Sequence, residues 1–548
     1  MKKIFFLLTF VILHLSISLC YAQAPNWIWA KSEGGINSDG AYSCCTDANG
    51  NIIVVGHFMS QIITLGATTL ANVHPGWEDM FIVKYDPNGN VLWAKSAGGA
   101  NDDVASSCST DAIGNIIVTG SFNSSSITFG TNTLINAGAI MMFIAKYDSN
   151  GNVVWAKKEG GTDGNVEPVD CGTDAIGNII VTGSFNNSGF AFGIDTMINT
   201  GNGDMFIVKY DSIGNLLWAK SAGGTSNDGA LGCSTDAGGN IFVTGVFKDT
   251  NITFGTTTLA NAGNYDLFIV KYDSFGNELW AKSAGDSLND LAYSCSTDAN
   301  NNVIVTGDFN SANLSFGSTT LVNPGGSDIY VVKYDSNGNV LWAKSGAGNS
   351  FDGAASCSTD ASGNIFVTGY FESSSLTFGT TTLTNSGSED IFIVKYDSTG
   401  NVLWAKGAGG NSQDLATSCA TDINGNIIVA GRFYSSSISF GAITVGSLGN
   451  WEMFVAKLNG TVGIEEFNSD NSINISPNPF SSQTTITFNE NQNTTTIKIT
   501  DILGKEIKTI HFSGKECVIE KGEMERGIYF VQVMDEQKNV INKKILVQ

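Results

Sequence analysis

The sequence predicts an all-β protein: a seven-bladed β-propeller closed by its own N-terminal strand, followed by a small C-terminal β-sandwich. Three observations predict it. The triplet Trp-Ala-Lys returns at Trp29, Trp93, Trp155, Trp218, Trp280, Trp342 and Trp404, spaced 62 to 64 residues apart, and self-similarity at such a period marks a repeat architecture. Within each unit, short runs of Ile, Val, Phe and Thr are bounded by Gly, Asn and Asp, which reads as strands and turns with no sustained helical period. The seventh unit stops near Gly460 without a WAK strand, while the chain carries a surplus one at Asn26-Trp27-Ile28-Trp29-Ala30-Lys31.

Composition narrows the function. Of 548 residues only 14% are charged, and Gly numbers 64 against 7 Pro, so the surface is built largely from Ser, Thr, Asn and Gly, which suits tight turns. Lys and Arg number 28 against 51 Asp and Glu, a net charge of −23. That excess opposes non-specific attraction to nucleic acid or anionic lipid and leaves cations and neutral polar ligands as the expected partners. The four histidines, His14, His57, His74 and His511, are too few for a histidine metal centre or a Ser/His or Cys/His nucleophile system. No cofactor is expected.

From the N-terminus, Lys2 and Lys3, the apolar run Ile4 to Leu19 and the small-x-small Cys20-Tyr21-Ala22 form a secretory signal peptide over 1–22. A lipidated Cys20 is the alternative, and Leu19 before it speaks against that. No other run reaches the roughly 18 apolar residues of a membrane helix, so the mature chain is expected to be exported and water-soluble, with no transmembrane segment.

The repeats fill 23–460. Each unit runs CxTD, a Gly-Asn turn, an apolar stretch ending Gly-x-Phe, a TFG-like segment, FIVKYD and a second turn into NVLWAK. This gives four principal strands per unit, with the TFG segment as an added short strand or hairpin. Such a unit leaves two sheet edges and both faces bare and must stack on copies of itself. A linear stack would want polar caps at both ends; an orphan first strand and a deficient last unit fit a ring. The periodic Trp, with Phe58, Phe122, Phe185, Phe247, Phe309, Phe371 and Phe433, are expected to fill the space between neighbouring sheets, carbohydrate stacking being their alternative role. In its WAK, DxxGN and VTGxF elements, the region from Trp27 to about Gly460 resembles the bacterial seven-bladed β-propeller repeat family, SBBP. The resemblance implies this architecture and no particular activity.

Residues 461–474 are polar and acidic and read as a linker. Alternation in the short runs of 475–548 predicts the sandwich. Ser476-Pro477-Asn478-Pro479-Phe480, Asp501-Ile502-Leu503-Gly504-Lys505-Glu506-Ile507, Gly527-Ile528-Tyr529-Phe530-Val531 and the final Lys543-Lys544-Ile545-Leu546-Val547-Gln548 resemble the type A sorting domain of the type IX secretion system. The resemblance implies contact with the type IX machinery, passage across the outer membrane and a location at the cell surface or outside the cell, with the repeats as cargo. An ordinary adhesive β-sandwich is the alternative.

Candidate chemistry is sparse. Cys44, Cys108, Cys171, Cys233, Cys295, Cys357 and Cys419 recur on the innermost strand. Facing sheets lie about 10 Å apart, beyond the roughly 7 Å Cα limit of a disulfide, so these are expected to be small buried free thiols, a thiolate ring for a soft metal being the alternative. Asp47, Asp111, Asp174, Asp236, Asp298, Asp360 and Asp422 follow them and begin hairpin turns, where turn capping accounts for them; these turns lack the spacing and bidentate Glu of a calcium loop. A second set, Asp39, Asp103, Asp228, Asp290, Asp352 and Asp414, with Val166 in the third unit, follows Gly-rich loops at the other end of the strand and is the candidate ring for a ligand or cation. The third unit departs most from the repeat, and Asp163, Glu167 and Asp170 form its candidate asymmetric loop. The Lys of FIVKYD and WAK make up 14 of the 17 basic residues between Gln23 and Gly460, and are expected to form exposed pairs with repeat acids, each worth little.

These readings imply a non-enzymatic secreted or surface scaffold engaging an extracellular glycan, protein or cation. The alternative is a secreted polysaccharide hydrolase or lyase using acids at one mouth of the ring, although a catalytic carboxylate pair is singular and these acids repeat. No catalytic residue and no metal ligand is assigned.

Overall fold

The computed structural model describes residues 25–186, 189–193, 195–199, 201–460, 473–501, 505–534 and 540–548. The expected signal peptide, nearly all of the expected linker, and Ile502 to Gly504 of the sorting motif lie outside the described residues. Every regular element among the described residues is a strand. Internal packing divides the chain into two units, Met1–Val462 and Gly463–Gln548.

Seven four-stranded antiparallel sheets make up the first unit. The first sheet runs Asp39–Thr46, Ile52–Phe58, Asp79–Tyr85, Val91–Ala97 from one edge to the other. A hairpin of Ile62–Leu65 with Thr68–Ala71, built from the TFG-like segment, separates its second and third strands in sequence. The two middle strands are buried at every residue because both of their faces meet neighbouring sheets, which is why they read as near-continuous Ile, Val and Phe rather than as alternation. The cores accordingly lie between sheets: Val55 and Ile82 of the first pack with Cys108, Phe122 and Phe143 of the second, with Trp93 at the margin.

The seventh sheet is assembled from both ends of the unit. Asp414–Thr421, Ile427–Phe433 and Glu452–Leu458 are completed by Trp27–Glu33, with Ala30 opposite Ala456 and Lys31 opposite Val455. The borrowed strand reproduces the local chemistry of the others. Trp93 Nε1 and Lys84 Nζ both donate to the carbonyl of Ser149; Trp29 Nε1 and Lys457 Nζ, from opposite ends of the unit, both donate to that of Pro87. On the inner strands, the Thr110 hydroxyl donates to the Thr46 carbonyl at 2.9 Å. The same bond recurs from Thr173, Thr235, Thr297, Thr359 and Thr421 to the preceding unit, until Thr46 donates to Thr421 at 2.8 Å.

The FIVKYD lysines differ from expectation. Lys84, Lys146, Lys209, Lys271, Lys333, Lys395 and Lys457 pair with Asp47, Asp111, Asp174, Asp236, Asp298, Asp360 and Asp422 at 2.9 to 3.4 Å, and both partners are buried except Asp360, which is partly buried. These are interior ion pairs, because the lysine lies on a strand buried on both faces and its stem threads between sheets to the turn. The aspartates also cap their turns: Asp47 accepts from the Asn49 and Asn51 amides at 2.9 Å and from the Asn51 side chain at 2.8 Å. All nine described cysteines are free, and the seven periodic ones are buried; burial pushes the thiols of Cys44 and Cys357 up to about 12, so they stay protonated.

In the second unit, Ile473–Ser476, Gln483–Asp501, Glu506–Glu520, Gly527–Met534 and Val540–Val547 join in one five-stranded sheet, where two stacked sheets are expected from sequence. The long strand Gln483–Asp501 pairs with Ile473–Ser476 in its first half and with Gly527–Met534 in its second. Its register with Glu506–Glu520 breaks between Thr487 and Thr495, so one strand serves both halves of a core containing Ile486, Ile497, Val531 and Ile545.

Candidate functional site

The two ends of the inner strands differ in how strictly the repeat is kept. At one end all seven units carry Thr-Asp, from Thr46-Asp47 to Thr421-Asp422. At the other, residues change from unit to unit. The middle residue of Gly-x-Phe is His57, Ser121, Ser184, Val246, Asp308, Tyr370 or Arg432. The fourth residue of the inner strand is Tyr42, Ser106, Val169, Leu231, Tyr293, Ala355 or Thr417. A bulge in every inner strand leaves this fourth residue out of the pairing, and bulges re-aim side chains. All seven bulge residues line a single cavity of about 660 Å³.

Two of the three candidates from the irregular third unit reach this cavity. Glu167 lines it and also a neighbouring cavity of about 410 Å³ that holds Asn165, Asn227, Tyr265 and Asn289. Asp170 lines the larger one, at a position that is Ser43, Ser107, Ser294, Ser356 or Ser418 in five other units and Gly232 in the sixth. Those serines accept the next unit's cysteine amide, as Ser43 does from Cys108 at 3.3 Å. Asp170 does the same for Cys233 at 2.8 Å and also accepts from the Ser107 hydroxyl at 2.8 Å; burial pushes its carboxyl up against these bonds. Asp163 is exposed and lines neither cavity.

The ring of six aspartates is corrected by its surroundings. Asp39, Asp103, Asp228, Asp290, Asp352 and Asp414 are each at most 3% exposed, and their carboxylates bind their own loops rather than face solvent. Asp103 stands opposite Phe122 across the strand pair, which brings Ser124 alongside, and the Ser124 hydroxyl donates to it at 2.7 Å. Ser60, Ser311, Ser373 and Ser435 do the same for Asp39, Asp290, Asp352 and Asp414. Asp228 takes backbone amides from Gly224 and Lys248.

Sequence reasoning missed a second set of acids, Asp79, Asp204, Asp266, Asp328, Asp390 and Glu452, all buried at the start of the third strand. They lie close to the first set. A Cβ on Gly34 would sit 2.4 Å from Glu452 Oε1 and 3.0 Å from Asp39 Oδ2, so the two carboxylates lie on either side of this glycine. Where the first set has Val166, the second has Met141, so both acids are replaced at the same junction. The usable signal was this joint replacement.

The paired acids give a pH dependence. Burial, reinforced for several of them by the neighbouring carboxylate, raises Asp103, Asp266 and Asp414 to about 6 and Asp228, Asp328 and Glu452 to about 7. A carboxyl whose folded value is raised favours the fold when protonated, and that contribution is lost as pH rises through 6 to 7. The turn acids behave oppositely. Burial raises Asp47, but bonds from Asn51 and Lys84 outweigh it and hold it below the usual range, so its contribution is lost only at lower pH. The thermal midpoint of the repeat unit is therefore expected to rise as pH is lowered from about 8 to about 5 and to fall below about 4. A steady fall from pH 8 downward in a calorimetric series would contradict this assignment.

Residues 474–548 match the family described as secretion system C-terminal sorting domain, Por_Secre_tail. This is the sorting domain of the type IX system, which indicates that the chain is secreted, to the cell surface or the extracellular space. An uncharacterized WD repeat-containing protein of Acanthamoeba polyphaga mimivirus is 26% identical over 511 residues, 75% of this chain and 36% of that protein. The regulatory protein FlaEY of Caulobacter vibrioides is 29% identical over 142 residues, 25% of this chain and 15% of that protein. The chain thus spans about a third or less of the length of these curated relatives. Among solved structures, a fungal alcohol oxidase of the AA5 family in complex with copper covers 96% of this chain and 100% of its own at 12% identity and a TM-score of 0.42. No helix among the described residues is long and apolar enough to cross a membrane.

Proposed function

We propose that this chain is a secreted or surface-held binding scaffold: a closed seven-bladed β-propeller of the SBBP type, exported by an N-terminal signal over 1–22 and a sorting domain over 475–548, that holds its ligand at the variable mouth. One observation carries the reading. Positions free to differ between units converge on the cavity at one mouth, with Glu167 and Asp170 among its polar groups, while the opposite end of every inner strand keeps the same residues. Selection for folding alone would hold equivalent positions alike, as it does for Thr-Asp; unit-specific side chains around one concave site are what a ligand requires. Closure of the ring is supported by the strand Trp27–Glu33 seated on Glu452–Leu458 and by the threonine bonds that return to Thr46.

The test is a glycan array and a protein pull-down with the full-length chain, repeated with Tyr293→Ala and Glu167→Gln. A ligand captured by the parent and weakened about tenfold or more by either change is expected, a loss of about 1.4 kcal/mol. Capture insensitive to both substitutions would place the site elsewhere. Turnover of a polysaccharide abolished by Glu167→Gln and Asp170→Asn would replace the scaffold by a hydrolase or lyase.

A further inference from the structure

Three basic residues between Gln23 and Gly460 stand outside the WAK and FIVKYD positions: Lys158, Lys248 and Arg432. Arg432 is the sole arginine of that region and occupies the variable Gly-x-Phe position of the seventh unit. In a chain of net charge −23, where each FIVKYD lysine has a carboxylate, no ion pair among the described residues involves Arg432. Its Nε is buried with no hydrogen-bond partner. Its guanidinium lies 4.8 Å from the Trp451 ring centroid and 5.9 Å from that of Tyr42, so two aromatic faces fix the plane of the fork.

The surroundings keep this the one cation of its corner. His57, on the adjacent unit, is buried, and burial together with the Arg432 charge lowers its imidazole to about 3, so it stays neutral. Glu78 lies 3.5 Å from His57 Nε2 and feels the Arg432 charge without forming an ion pair with it. Gly40 leaves the space that both use: a Cβ there would sit 3.1 Å from His57 Cε1 and 3.4 Å from Arg432 Cδ. Beside Trp451, at 5.5 Å between ring centroids, Tyr434 is 48% exposed at a position that is Met59, Asn123, Asn186, Lys248, Asn310 or Glu372 elsewhere.

We propose that this corner of the variable mouth binds a sugar bearing one carboxylate, a uronate at the end of an otherwise neutral glycan. The proposal rests on the scaffold reading and names the ligand class for that mouth. The guanidinium has the Tyr42 hydroxyl as its hydrogen-bond partner and no carboxylate paired with it, which leaves the rest of a planar fork to match a ligand carboxylate, and an exposed tyrosine beside it offers the apolar face on which a pyranose ring lies. A single arginine on a strongly acidic chain selects one carboxylate and disfavours a polyanion.

Calorimetric titration of the full-length chain with methyl glucuronide, methyl glucoside and sodium acetate tests it. The glucuronide is expected to bind about tenfold or more tighter than the other two, and Arg432→Lys, which keeps the charge and loses the fork, to remove about tenfold of that affinity. Tyr434→Ala is expected to weaken the glucuronide several-fold without changing the thermal midpoint. Equal binding of glucoside and glucuronide, acetate as tight as glucuronide, an Arg432→Lys variant that binds as the parent does, or no binding of any of the three overturns the inference. Each of these leaves the scaffold reading standing as long as the array yields a ligand lost on Tyr293→Ala or Glu167→Gln.

Discussion

A variant whose mature chain starts at Gly34 is expected to lose the cooperative thermal transition of the repeat unit, and a synthetic peptide of residues 25–34 added in trans is expected to restore it. The strand removed, Trp27–Glu33, covers Glu452–Leu458, all seven residues of which are buried. Without it those residues become a bare edge with unpaired amides and carbonyls. Trp27 also packs edge-on against Phe440 at 4.8 Å, and loss of a buried aromatic of this size typically costs about 3 to 5 kcal/mol by itself. Trp29 Nε1 loses Pro87 O, and Lys406 Nζ loses Pro25 O at 2.8 Å. The sum approaches the whole of a domain's net stability of about 5 to 15 kcal/mol. A truncated chain that melts as sharply as the parent, at the same temperature, would show that the borrowed strand does not hold the seventh sheet.

Much of the fold was legible because the repeat writes the same residues seven times. WAK, CxTD and Gly-x-Phe each sit in one strand, and the orphan WAK at Trp29 announced its partner. What was not legible depends on pairings that local spacing does not encode. Asp103 looks like a solvent-facing loop acid until the register sets it opposite Phe122 and beside Ser124. Lys333 looks like a surface lysine because nothing in FIVKYD says that its strand is covered on both sides. Tyr42 and Tyr293 reach the cavity through a bulge, and a one-residue slip in a strand reverses which face each side chain takes. In the third unit the departure from the repeat was itself the signal, and Glu167 and Asp170 line the cavity; the other departures, at the Gly-x-Phe and bulge positions, become visible only when the seven units are laid over one another. In the second unit the alternation located strands, but not that Gln483–Asp501 would span two sets of partners.

Replacing Lys333 with Met is expected to cost the repeat unit about 3 kcal/mol in urea denaturation at pH 8, the lower end of what removing one partner of a buried pair does. Lys333 Nζ lies 2.9 Å from Asp298 Oδ2, with the lysine 3% and the aspartate 1% exposed, and it also donates to Ser398 O of the next unit at 3.2 Å. Methionine fills the channel of the stem but leaves the carboxylate buried without its cation. The lower end applies because the Asn300 and Asn302 amides and the Asn302 side chain still donate to Asp298. Burial raises this carboxyl, and the bonds from Asn302 and Lys333 together bring it below the usual range. Without the lysine the folded-state value moves up, so the carboxylate penalty shrinks when the group can take a proton, and the deficit is expected to be smaller at pH 5 than at pH 8. Lys498→Met supplies the contrast. Its ion pair with Glu506 is just as short at 3.0 Å, but the partners are 41% and 51% exposed, and water replaces what the pair loses, so the midpoint of the second unit is expected to stay where it is. Equal shifts for the two lysines, or a Lys333→Met deficit that grows toward acid, would mean that burial is not what sets the strength of the repeated Lys-Asp pair.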